Sequence, residues 1–122
     1  MSNQLTLLQV ALLSLYAVAM AAGQVLFKLA ANKTPVAGAL TERITALLHN
    51  SMFGAALLLY AALAIVWVWI LSFTPLSRAY AFVALAFAIT PFASAALFGE
   101  PISLRLVIGI VLIVGGLICV AG

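Results

Sequence analysis

The chain has 122 residues, of which 68% are hydrophobic and 6% charged, and its net charge is +3. A soluble domain carries about 25% charged residues, so this chain has too few to cover a surface in water, and a soluble bundle with alternating apolar and polar helix faces is excluded. The positive surplus, five basic residues against Glu42 and Glu100, sits at segment ends and in loops, a placement that suits lipid phosphates and topology rather than nucleic acid.

The apolar residues fall into four blocks, each near the ~20 residues that cross ~30 Å of hydrocarbon. They predict an all-α membrane protein, a single four-helix transmembrane domain over 1–122 with helices at about 5–31, 51–72, 77–98 and 104–120. Met1 to Gln9 lacks the positive start of a secretory signal and the first block is too long for a signal core, so it reads as a permanent helix. That helix ends at Asn32-Lys33-Thr34-Pro35, where the proline disfavours helix before it. In the long connection to Asn50, Leu40 to Leu48 is mildly amphipathic, with Glu42, Arg43 and His49; it reads as a short interfacial helix or as the start of the second helix. The second helix ends near Trp67 and Trp69, whose indoles favour the headgroup boundary. After the turn Phe73-Thr74-Pro75-Leu76, Ser77 is expected to cap the third helix. Pro91 should kink that helix and free a backbone carbonyl, with Thr90 and Ser94 repairing the hydrogen bonding around it. Gly99-Glu100-Pro101 ends the third helix and Ser103 is expected to cap the fourth. Cys119, the one cysteine, lies in an apolar run and reads as a small buried hydrophobe.

Four helices leave both termini on one side. Lys28, Lys33, Arg43 and Arg105 flank the first and third loops, whereas the opposite side has Arg78 and the terminal amine. The positive-inside rule then puts those loops in the cytoplasm and the termini outside.

A few residues stand out chemically. Tyr16, Met20, Gln24 and Lys28 recur every four positions and so line one helix face. A polar stripe on a membrane helix faces protein or a wet cavity, and a lysine below a glutamine suits an anionic group such as phosphate; the competing reading is a lysine that snorkels to the headgroups. Arg78 is read either as a ligand of lipid phosphate or as an ordinary anchor, and Tyr80 either as a pocket hydroxyl or as part of an aromatic belt. Glu100 is the sole carboxylate besides Glu42. It either pairs with Arg105 or caps the last helix, or it is the charge-switching acid of a coupled transporter. Gly109, Leu112 and Gly116 share a face of the last helix where another helix can approach closely. There is no Cys/His cluster, no phosphate-cradling glycine loop and no nucleophile beside a base, and His49 reads as interfacial. Neither a metal, a cofactor nor an enzyme is expected.

Three segments resemble the small multidrug resistance transporters and their drug/metabolite transporter relatives: Ala22-Gly23-Gln24-Val25-Leu26-Phe27-Lys28, Thr74-Pro75-Leu76-Ser77-Arg78-Ala79-Tyr80-Ala81, and Leu97-Phe98-Gly99-Glu100-Pro101-Ile102-Ser103. The likeness covers nearly the whole chain. Small multidrug exporters have a membrane-embedded glutamate three residues before the glycine matching Gly23; here that position is Met20. Without it the usual proton/cation exchange cannot run. The sequence is instead similar to the subunits that flip aminoarabinose-linked undecaprenyl phosphate in Gram-negative bacteria. The resemblance implies a polyprenyl-phosphate sugar lipid as cargo and Gln24, Lys28, Tyr80 and Glu100 as site residues; Arg78 departs from the pattern, where relatives often carry a small or apolar residue. The expectation is thus a flippase of the bacterial inner membrane whose substrate head enters between the first and third helices, with Lys28 and Arg78 as positive charges. It works as a homodimer, or as a heterodimer with a similar small subunit, joined along the Gly109/Leu112/Gly116 face. A proton-coupled exporter acting through Glu100 and a non-transporting accessory subunit are the rival expectations.

Overall fold

The computed structural model describes residues 5–121; the terminal amine counted above lies outside them. The described residues form five helices, α1 (Leu7–Asn32), α2 (Leu40–Leu48), α3 (Ser51–Leu71), α4 (Leu76–Phe98) and α5 (Leu104–Ala121). By length and composition α1, α3 and α4 can each cross a membrane, and α5 is a shorter apolar helix of 18 residues. The amphipathic stretch before the second apolar block is a helix of its own, α2, with no buried residue. α1 is the hub: it packs against α3 on one side and α4 on the other, while α5 packs against α4.

Small residues set these contacts. Leu13, Ala17 and Ala21 repeat every four positions on α1, and Ala79 and Ala86 line α4; all are buried. Lipid tails are as apolar as leucine, so what joins membrane helices is close van der Waals packing, and alanine permits it. Leu13, Ile70, Ala79, Phe82 and Leu117 form one cluster near the end of the bundle that holds the termini. Trp67 packs partly against it, its ring 5.1 Å from that of Tyr16, so it is not a free interfacial anchor; Trp69 is exposed and meets Phe73 edge to face.

The helix ends are tied to one another by polar side chains. Thr6 and Gln9 form a reciprocal capping box at the start of α1, and the Gln9 amide also donates to the Phe73 carbonyl (2.9 Å) and to Thr74 Oγ1 (3.1 Å) in the α3–α4 turn. Asn50 caps α3 through Met52 N–H and donates to the Ala30 carbonyl (3.0 Å) near the end of α1. Ser103 caps α5, accepting from Leu106 N–H at 3.1 Å. Ser77 does not cap α4: Pro75 is its N-cap residue and no side chain bonds there, because proline's fixed φ already starts the helix. Cys119 is exposed rather than buried, since α5 turns Ile110 and Leu117 inward and Cys119 lies on the other side.

Candidate functional site

The first helix delivers Gln24 and Lys28 to a cleft shared with α4. Gly23, one position earlier, is buried against Tyr60 of α3. Its missing side chain lets the Tyr60 ring approach α1, where it stacks on Phe27 at 5.2 Å. The Tyr60 hydroxyl accepts from Gln24 Nε2 (2.8 Å) and donates to the Met20 carbonyl (3.1 Å). Gln24 is therefore held by its donor end, and its amide oxygen has no partner among the described residues.

Glu100 reaches the same cleft by a different route. Gly99 takes a left-handed φ of 67° and its N–H closes the last turn of α4 on the Ala95 carbonyl, a conformation glycine adopts without steric cost. This reversal carries Glu100 back over the helix end. Its carboxylate accepts a hydrogen bond from Ser94 Oγ and lies 3.8 Å from Lys28 Nζ. The Lys28 and Glu100 side chains are 48% and 47% exposed. Around them is a cavity of about 210 Å³ lined by Gln24, Val25, Lys28, Thr90, Ser94, Phe98 and Glu100.

A second cavity, of about 330 Å³, is lined by Gln24 and Thr90 too, but otherwise by Met20, Val83, Ala86, Phe87 and Pro91. The two share Gln24 and Thr90, so a charged mouth leads onto an apolar floor. Met20 is part of that floor.

Four expectations need correction. Glu100 neither pairs with Arg105 nor caps α5; among the described residues its ion pair is with Lys28, and Ser103 does the capping. Arg105 lines a separate α4–α5 cavity with Phe87, Pro91 and Gly109. Ser94 does not repair the backbone at Pro91, because its hydroxyl goes to Glu100. Arg78 does not share a site with Lys28. It opens α4, and about 24 Å of helix separates it from Ser94 at 1.5 Å per residue; its guanidinium donates to the Val120 carbonyl at 3.0 Å, closing the free end of α5. Tyr80 is exposed at that same distant end, lining a cavity with Trp67, Leu76 and Ser77.

On the face of α5 that carries Gly109, Leu112 and Gly116, Gly109 borders the α4–α5 cavity and the other two stand open among the described residues. Leu112 and Gly116 are exposed and Gly109 partly so, and nothing lies within 4 Å of a methyl built on either glycine. At 100° per residue this face is about 100–160° round the helix from Ile110, which turns inward.

Comparison with known proteins places the chain. It is 37% identical over 98 residues to a protein of Sodalis glossinidius (strain morsitans) named a probable 4-amino-4-deoxy-L-arabinose-phosphoundecaprenol flippase subunit, ArnE; the match covers 80% of this chain and 83% of the relative. The chain belongs to the ArnE-type flippase subunit family. No family model matches it, and no solved structure does. The ArnE-type kinship bears out the resemblance carried by the three motifs, and together with the long apolar helices it makes the chain a multi-pass membrane protein. In this ArnE-type chain the residues that sequence reasoning missed are Tyr60 and the bonding role of Ser94. Tyr60 sits in an otherwise apolar helix with no local polar partner, and its contact with Gln24 spans 36 residues of sequence.

Proposed function

We propose that the chain is a subunit of a flippase that carries a polyprenyl-phosphate-linked sugar across the bacterial inner membrane, and that it works as a transporter and not as an enzyme. The observation that carries this reading is the amphiphilic cleft between α1 and α4, with Lys28, Ser94 and Glu100 at its mouth and Met20, Val83, Ala86 and Phe87 along its floor. The cargo in the relative's name is divided in the same way: a charged sugar phosphate on a long apolar chain.

In this reading Lys28 holds the phosphate. Its three ammonium donors make no hydrogen bond to any described residue, and a charge-assisted bond to an anion is about twice as strong as a neutral one. Gln24, fixed by Tyr60, offers its free amide oxygen to a sugar hydroxyl. The first part of the prenyl chain lies on the apolar floor, and the rest stays in the bilayer. An acid at position 20 would repel the phosphate; methionine does not. Arg78 and Tyr80 lie outside this site and serve the far end of the bundle. With Lys33, Arg43 and Arg105 in the cytoplasm, the mouth opens at the inner leaflet, and α5 completes a four-span bundle. The open side of the cleft is closed by a second subunit, a copy of this chain or a similar one, against the glycine face of α5.

The test is lipid binding by native mass spectrometry, comparing the wild type with Lys28→Ala and using an undecaprenyl-phosphate sugar as ligand. Removing a charged hydrogen-bonding partner costs about 1.5–3 kcal/mol, and partial exposure reduces that, so Lys28→Ala should weaken binding roughly 5- to 30-fold. If neither protein binds a polyprenyl lipid, the proposed cargo is wrong.

A further inference from the structure

We infer that Glu100 is a specificity residue that accepts the ammonium of a zwitterionic amino-sugar phosphate lipid while Lys28 holds its phosphate. This rests on the flippase reading above and assigns the second charge of the site.

The Lys28–Glu100 pair is not a closed ion pair. At 3.8 Å its nitrogen and oxygen stand beyond hydrogen-bond distance, and each side chain is about half exposed. Lys28 spends none of its donors on the described residues, and Glu100 spends one acceptor position, on Ser94. A carboxylate has about four such positions. The mouth of the cleft therefore offers one anion and one cation side by side, both under-coordinated, in a cavity of about 210 Å³.

Such a site discriminates by charge. An anionic head that bonds to Lys28 is brought against Glu100, and the like charges oppose its entry. A head that also carries an ammonium has a partner for Glu100, so the four charges alternate round a ring. The sugar named in the relative carries an amine on carbon 4, across the pyranose ring from the phosphate-bearing anomeric carbon, which lets the two charges meet the two protein groups at once. Ser94 fixes the carboxylate from the α4 side and leaves its outer lone pairs towards the cleft. Glu100 is delivered by the left-handed Gly99 turn and Lys28 by the last turns of α1, so the spacing of the pair is set by how α1 and the α4–α5 turn pack together, not by one flexible segment.

The experiment uses the full chain with any subunit that copurifies, reconstituted in nanodiscs of phosphatidylglycerol. Three ligands are compared by native mass spectrometry: the 4-amino-arabinose undecaprenyl phosphate lipid, its N-acetylated form, and phosphatidylethanolamine, whose head also pairs a phosphate with an ammonium. The wild type should hold the free-amine lipid about tenfold or more over the N-acetylated one, the size of one charge-assisted bond at a half-exposed site. Glu100→Gln should bind the two alike, and Glu100→Asp, which keeps the charge and checks that the site still folds, should restore the preference. Equal binding of the amine and N-acetylated lipids by the wild type overturns the assignment and leaves the flippase reading standing. Displacement of the amino-sugar lipid by phosphatidylethanolamine at equal affinity overturns the amino sugar as what the pair selects. Failure to bind any polyprenyl phosphate overturns both.

Discussion

A methyl group on Gly23 would lie 2.6 Å from Cε2 and 2.9 Å from Cζ of Tyr60. The ring cannot retreat freely, because it stacks on Phe27 and its hydroxyl joins Gln24 to the Met20 carbonyl. Gly23→Ala must therefore push Tyr60 away and release Gln24, at the ~1–3 kcal/mol typical of overpacking. The expected result is a lower melting temperature in detergent together with weaker lipid binding. On a Tyr60→Ala background the same substitution should cost little, as a double-mutant cycle would report; an equal cost in both backgrounds would show that Tyr60 is not what Gly23 makes room for. Residues at this scale were unevenly legible. Lys28 stands out because a charge in an apolar helix has few comfortable places, and Gln24 follows from the four-residue spacing. Tyr60 does not, since its partners come from a different helix. Nearness in sequence points Glu100 to Arg105, whereas the left-handed Gly99 turns it to Lys28.

The helices themselves were easier to read, because twenty apolar residues between turn signals admit few alternatives: α1, α3, α4 and α5 end within about two residues of their expected limits, inside the usual scatter of helix boundaries. How they pair was not readable. Apart from the Gln24/Lys28 stripe of α1, the apolar helices are hydrophobic all round, so no pattern says that α1 packs on both α3 and α4 or that α5 touches mainly α4; that is decided by where alanines recur, a signal with little contrast in so apolar a chain. Pro91 is the feature with the clearest consequence at this scale. It lacks the N–H that would bond the Phe87 carbonyl, and both Pro91 and Phe87 line the cavities on the two sides of α4. A weakened turn between two cavities is where α4 can bend to change access to the cleft. Pro91→Ala should restore the missing bond, stabilising the helix by up to about 3 kcal/mol, and raise the melting temperature. Transport of labelled lipid between leaflets should slow while equilibrium binding at Lys28 stays close to wild type. Unchanged transport in a stabilised Pro91→Ala protein would remove the hinge.

For the whole molecule, the question is what covers α5. Its inner side, with Ile110 and Leu117, packs on α4, and its outer side presents Leu112, Gly116 and Cys119, with Gly109 at the rim of the α4–α5 cavity; among the described residues nothing lies within 4 Å of a methyl built on either glycine. Glycines placed seven residues apart on an apolar helix let a second helix come close enough for backbone contact, with Leu112 filling the space between them. Lipid can cover such a face but gains little from the two gaps, whereas a second subunit fits into them and also adds the wall that a cleft between only two helices lacks. The Gly109→Leu and Gly116→Leu double variant fills both gaps and should shift the assembly to monomer by native mass spectrometry. The single cysteine makes an independent readout: Cys119 lies three residues beyond Gly116, on the same side, so its labelling by a membrane-permeant maleimide should be slow in the assembled wild type and fast in the double variant. Gly109→Ala with Gly116→Ala, which adds only methyl groups, should keep more of the assembly than the leucine pair. If the leucine variant runs at the wild-type mass and Cys119 is labelled equally fast in both, the subunits meet elsewhere, and the open side of the Lys28 cleft must be closed by a face other than α5.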